Sequence, residues 1–152
     1  VLRFLSKEYT HNWKSAIAVA GKAPIDRLCA IVISAFSPTV CNRKNLGVWY
    51  AFWGAIQSRP TYQHVCGQTD NEFSSTLLSL CTQLCRGGKT SVSAEIAAMS
   101  IEAMVDGLWQ SCLIGESKFS PKEANKTVLD VMELIFPLEK SMIEEYKVSL
   151  LT

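Results

Sequence analysis

Four aromatic side chains, Trp49, Tyr50, Phe52 and Trp53, crowd into five positions, and Trp109 follows further along the chain. Ring faces attract a cation without asking it for a hydrogen bond, so a box of rings beside a carboxylate suits a quaternary ammonium ion. Asp106 is the candidate counter-charge, and Trp49, Phe52, Trp53 and Trp109 are the candidate walls. Rings at helical spacing also build ordinary cores, and that reading of the cluster stands beside the cage. Glu102 lies one helical turn before Asp106, which fits a solvated edge or interfacial hydrogen bonds equally well.

Other chemistry has less to stand on. The two histidines, His11 and His64, fall in different segments, and no Ser or Cys is framed as a nucleophile. Glycine-rich phosphate loops and the HExxH zinc motif are missing from the sequence. The chain therefore reads as a non-enzyme with no catalytic residues, no metal site and no cofactor. Cys81 and Cys85 sit four apart on one helical face, a spacing open to a thiol sensor. With Leu78 they equally continue an apolar stripe.

The rest of the composition narrows the class. With 152 residues the chain is one domain, residues 1–152, long enough to bury a core without staples. Charged residues make up 19% against 48% hydrophobic, so burial beyond the chain's own core is expected. A net charge of +1 with interspersed signs offers no basic stripe for nucleic acid. The longest apolar stretch, about Leu28 to Phe36, falls short of a membrane span. No secretory signal opens the chain, and with no initiator Met, Val1 reads as the start of a fragment. The six cysteines read as reduced thiols in a cytoplasmic protein.

Positioning these residues falls to helices. Every segment between the Pro and Gly breaks carries the 3.6-residue period, so the fold class is all-α. Helices are expected over about Leu2–Ala20, Pro24–Phe36, Asn42–Ser58, Thr61–Cys85, Ser93–Ile114 and Ser120–Phe136. A short amphipathic tail follows Pro137, with Leu138, Met142, Tyr146 and Leu150 on one side. Ser120, Pro121 and Glu123 mark the sixth start as a capping box. The fifth helix reads as buried between layers, and the apolar band of the sixth, Ala124, Val128, Val131, Met132, Ile135 and Phe136, as too wide for a monomer.

The run Val48-Trp49-Tyr50-Ala51-Phe52-Trp53-Gly54-Ala55, followed by Arg59-Pro60-Thr61-Tyr62, resembles a stretch of the BetI-type branch of the TetR family of bacterial transcriptional repressors. Ala103-Met104-Val105-Asp106-Gly107-Leu108-Trp109 is similar to that branch's ALIDGLW, and Pro24-Ile25-Asp26-Arg27-Leu28 to the opening of an earlier helix. The likeness runs from about Pro24 to Phe136. Asp70-Asn71-Glu72 departs from it, standing where the branch often carries a basic pair.

This resemblance implies an effector-binding and dimerisation domain, a helical bundle whose fifth and sixth helices pair with a second copy in a four-helix interface. It implies a homodimer and a small-molecule effector, a quaternary ammonium such as choline. DNA would be met only through an N-terminal helix-turn-helix outside this chain, and no membrane is involved. A helical dimerisation module without a small-molecule site, and a thiol sensor using Cys81 and Cys85, are the alternatives.

Overall fold

A computed structural model describes residues 1–57, 60–115 and 119–151. Seven α-helices make up the described architecture: α1 (Leu2–Val19), α2 (Pro24–Ala35), α3 (Arg43–Gly54), α4 (Thr61–Arg86), α5 (Ala94–Ile114), α6 (Pro121–Ile135) and α7 (Lys140–Ser149). A single 3-10 turn, Pro137–Glu139, joins the last two. Local chemistry explains several of the ends. Pro24 and Pro121 occupy first-turn positions, where the missing N–H has no helical partner to lose. The side chains of Asn42, Ser93 and Ser120 accept hydrogen bonds from the backbone N–H groups of Asn45, Ile96 and Glu123.

The long α4 forms the spine, with α5, α2 and α1 packed along it. Its apolar face, Tyr62, Cys66, Phe73, Leu77, Leu80 and Leu84, is buried, with Thr69 half-buried among them. Polar contacts fix the register of its neighbours. Ser6 and Thr69 share a hydrogen bond of 3.1 Å between α1 and α4. Asn12 Nδ2 donates to the carbonyl of Ser34 at 2.8 Å, tying α1 to the last turn of α2. Across the molecule, Lys147 on α7 meets Asp130 and Glu133 on α6 at 2.6 and 2.5 Å.

Three expectations change. The third helix ends at Gly54 and not at Ser58, which lies outside the described residues; the amides of Ala55 and Ile56 bond three residues back, tightening the last turn. The apolar band of α6 does not require a partner, because Ala124, Val128, Met132, Ile135 and Phe136 are buried and Val131 half-buried, with this chain's own α2, α5 and α7 packed against the helix. Conversely, α5 is not sandwiched. Its inner face holds Ala97, Ala98, Ile101, Val105, Trp109 and Cys112, while Ile96, Met99, Ala103 and Ile114 remain open to solvent. In the tail, the buried anchor is Ile143, with Met142, Tyr146 and Leu150 half-buried around it and Leu138 exposed.

Candidate ligand-binding site

A cavity of about 240 Å³ opens between α1, α3, α4 and α5. Six rings wall it: Tyr9, Trp49, Trp53, Tyr62, Phe73 and Trp109. Three carboxylates, Asp70, Glu102 and Asp106, and the aliphatic Ile56 and Val105 complete the described lining. No basic side chain stands among those lining residues.

The rings form two groups. Trp49, Trp53 and Tyr62 make a triangle with centroids 6.5, 6.0 and 6.1 Å apart. Tyr9 meets Phe73 at 5.5 Å and Trp109 at 5.7 Å, and reaches Trp49 at 6.4 Å, which links the groups. Edge and tilted arrangements of this kind set the positive edge of one ring on the negative face of the next, and a face turned to the cavity would attract a cation in the same way.

Hydrogen bonds hold the polar groups in place. Tyr62 Oη donates to Asp70 Oδ2 at 2.7 Å, and Ser74 Oγ donates to Glu102 Oε1 at 2.9 Å. Tyr50 Oη donates to the backbone carbonyl of Asp106 at 2.7 Å, fastening α3 to α5 beside the cavity. Trp109 spends its only donor on the carbonyl of Ala35 at 2.9 Å, so it offers the cavity its ring and nothing else.

Electrostatics follow from three acids in a ring-lined space. Burial, then the charges of Glu102 and Asp70, push the Asp106 carboxyl up to about 6. The residue itself is solvent-exposed, so it sits at the mouth and is crowded on one side only. Burial also raises Asp70, against the lowering hydrogen bond from Tyr62. Tyr9 is held well above the usual phenol range by burial and by the fields of Asp106, Glu102 and Asp70. Its hydroxyl stays protonated and bonds to none of the described residues. The space thus attracts positive charge, and its described residues include no cluster of His, Cys, Asp and Glu able to hold a metal ion.

Of the residues singled out from sequence, Trp49, Trp53, Asp106 and Trp109 are brought together on this cavity. Phe52 is not. At 100° per residue it stands 60° from Trp49 on the side away from Trp53, and it packs half-buried against the core instead. The sequence reading missed Tyr9, Ile56, Tyr62, Asp70, Phe73 and Glu102 as lining residues. Tyr62 and Phe73 fall on the apolar stripe of the fourth helix, which reads as core, and Glu102 reads as an edge; Tyr9 has no local pattern to mark it. Cys81 lies outside the cavity, and burial, aided by Cys85, pushes its thiol up to about 12, which leaves little thiolate to react.

The likeness to known proteins is consistent over most of the chain. Residues 24–137 match the family model described as BetI-type transcriptional repressor, C-terminal. The chain belongs to the BetI-type branch of the TetR family.

Among curated relatives of this BetI-type domain, the HTH-type transcriptional regulator BetI of Burkholderia thailandensis is 31% identical over 121 residues, 78% of this chain and 58% of that protein. The regulators of the same name from Proteus mirabilis and Stenotrophomonas maltophilia are 28% and 32% identical, over 71% and 64% of this chain. The chain spans about half the length of these relatives. A solved transcriptional regulator from Pseudomonas aeruginosa PAO1 superposes with a TM-score of 0.75 at 24% identity, over 95% of this chain and 69% of that one. The BetI-type domain is a non-enzymatic regulatory module with the same helical fold. None of its described helices is long and apolar enough to cross a membrane.

Proposed function

We propose that this domain is the effector-binding and dimerisation unit of a cytoplasmic BetI-type repressor, and that its effector is a small organic cation, with choline the first candidate. The carrying observation is the cavity of about 240 Å³ whose described lining combines six aromatic rings with three carboxylates and no base. A quaternary ammonium would lie against the faces of Trp49, Trp53 and Trp109 with Asp106 as counter-charge. Two copies would pair through α5 and α6, and the effector would change the angle between them. DNA-reading heads outside this chain would then be moved out of register with their site. Release requires that the cation bind one arrangement of the two copies more tightly than the other.

Titration with choline and betaine aldehyde tests this directly. Both are expected to quench tryptophan fluorescence and to raise the melting temperature. Unchanged fluorescence and melting at millimolar ligand would remove the cation reading and leave a dimerisation module without a small-molecule site.

A further inference from the structure

The cavity is charged beyond what one cation can neutralise, and its parts come in two sets. The triangle of Trp49, Trp53 and Tyr62 has its own carboxylate, because Tyr62 Oη is bonded to Asp70. The second set is Tyr9 with Phe73 and Trp109; Glu102 and Asp106, one turn apart on the α5 that also carries Trp109, line the same cavity and act on Tyr9 more strongly than Asp70 does. Trp49 is shared, in contact with Tyr9 on one side and with Trp53 and Tyr62 on the other. Among the described residues the Asp70 and Glu102 carboxylates bond to the neutral hydroxyls of Tyr62 and Ser74, and a hydroxyl donor leaves the charge in place. Tyr9, whose hydroxyl is unpartnered among the described residues, lines the cavity together with the three acids, and their charges raise its pKa.

A single quaternary ammonium beside Asp106 leaves Asp70, at the far set, a partly desolvated carboxylate without a cation, which is costly. We infer that the cavity takes a short linear dication, one cationic nitrogen in the Trp49, Trp53 and Tyr62 triangle beside Asp70 and the other between Tyr9 and the Glu102 and Asp106 carboxylates. At about 240 Å³ the space restricts the ligand to a few bonds between the two nitrogens. Ammonium centres gain more here than quaternary ones, since N–H groups donate charge-assisted hydrogen bonds to carboxylates.

This inference rests on the cation reading of the cavity, and calorimetry with three probes separates the two. Choline, n-butylamine and 1,4-diaminobutane are titrated into the chain at pH 7.5. The diamine is expected to bind at least about tenfold tighter than butylamine, the gain of one further charge-assisted contact. Asp70→Asn and Glu102→Gln should each bring that ratio close to one, with circular dichroism confirming that the helices persist. Tyr9→Phe gives a third reading that keeps the ring, and it should narrow the ratio less than either acid variant. Equal affinity for butylamine and the diamine, or choline bound more tightly than the diamine, overturns the dication while leaving the cation reading intact. Absence of binding by all three overturns both.

Discussion

Asp106 costs the fold something that an ordinary surface carboxylate does not. Its carboxyl titrates near 6, above the usual range, because burial and the charges of Glu102 and Asp70 oppose ionisation. The folded chain therefore holds more proton than the unfolded chain between about pH 4 and 6, and Asp106 withdraws stability as the pH rises through that window. Solvent screening at this exposed residue keeps the loss below about 1 kcal/mol. A bound cation reverses the balance, since it favours the ionised form. Choline, whose charge does not titrate, is thus expected to bind tightly above pH 6 and to weaken by up to about tenfold per unit below it. Calorimetry at pH 5.0 and 7.5 measures this, and Asp106→Asn should flatten the profile while raising the melting temperature at pH 7.5. Trp109 makes a different demand. Trp109→Phe keeps a ring but leaves the Ala35 carbonyl without its donor, and should cost about 1–3 kcal/mol in urea unfolding. The residues legible from sequence were those in dense local patterns, Trp49 and Trp53 four apart and Asp106 and Trp109 three apart. Tyr9 and Asp70 reach the cavity from other helices, through a packing of α1 and α4 that no local spacing encodes.

At the level of helices, starts were more legible than ends. Pro24, Thr61 and Pro121 open α2, α4 and α6 where the chain's punctuation places them, because capping and fixed φ are local effects. Ser120 Oγ accepts from the Glu123 amide at 3.2 Å, so Ser120→Ala should lower stability by about 1 kcal/mol in urea unfolding with no change in cavity binding. Burial was harder to foresee. A wide apolar band on α6 says only that something covers it, and the cover turns out to be α2, α5 and α7 of the same chain. The tail that completes this cover is pinned by Lys147, whose charge burial opposes but Asp130, Glu133 and Glu144 hold, raising its pKa. Removing that ammonium with Lys147→Met leaves Asp130, Glu133 and Glu144 crowded without their shared cation. The expected result is a loss of about 1–3 kcal/mol, read as earlier urea unfolding, and faster hydrogen exchange across α7.

For the whole molecule, α5 serves the cavity and also exposes apolar side chains nearer its start. Glu102, Asp106 and Trp109 line the cavity, while Ile96 is 52% exposed and Met99 68%. The start of α5 lies beside the end of α6, since the Ser91 amide bonds the Ile135 carbonyl and Ser91 Oγ the Leu134 carbonyl. Leu134, 73% exposed, and Leu138 are the exposed apolar side chains on the α6 side of that junction. These apolar side chains, left exposed by the described residues on both helices, are where we place the second copy. A two-fold interface sets each residue against its own environment twice, so one introduced charge is buried in both copies. Met99→Glu is expected to convert a sedimenting dimer to a monomer while the circular dichroism stays helical. Val19→Glu, at an exposed apolar position on α1, should leave the mass unchanged. If Met99→Glu sediments as the parent does, the pairing surface lies elsewhere. The rigid α5 would then no longer join the cation cavity to the partner, and the effector would need another route between the two copies.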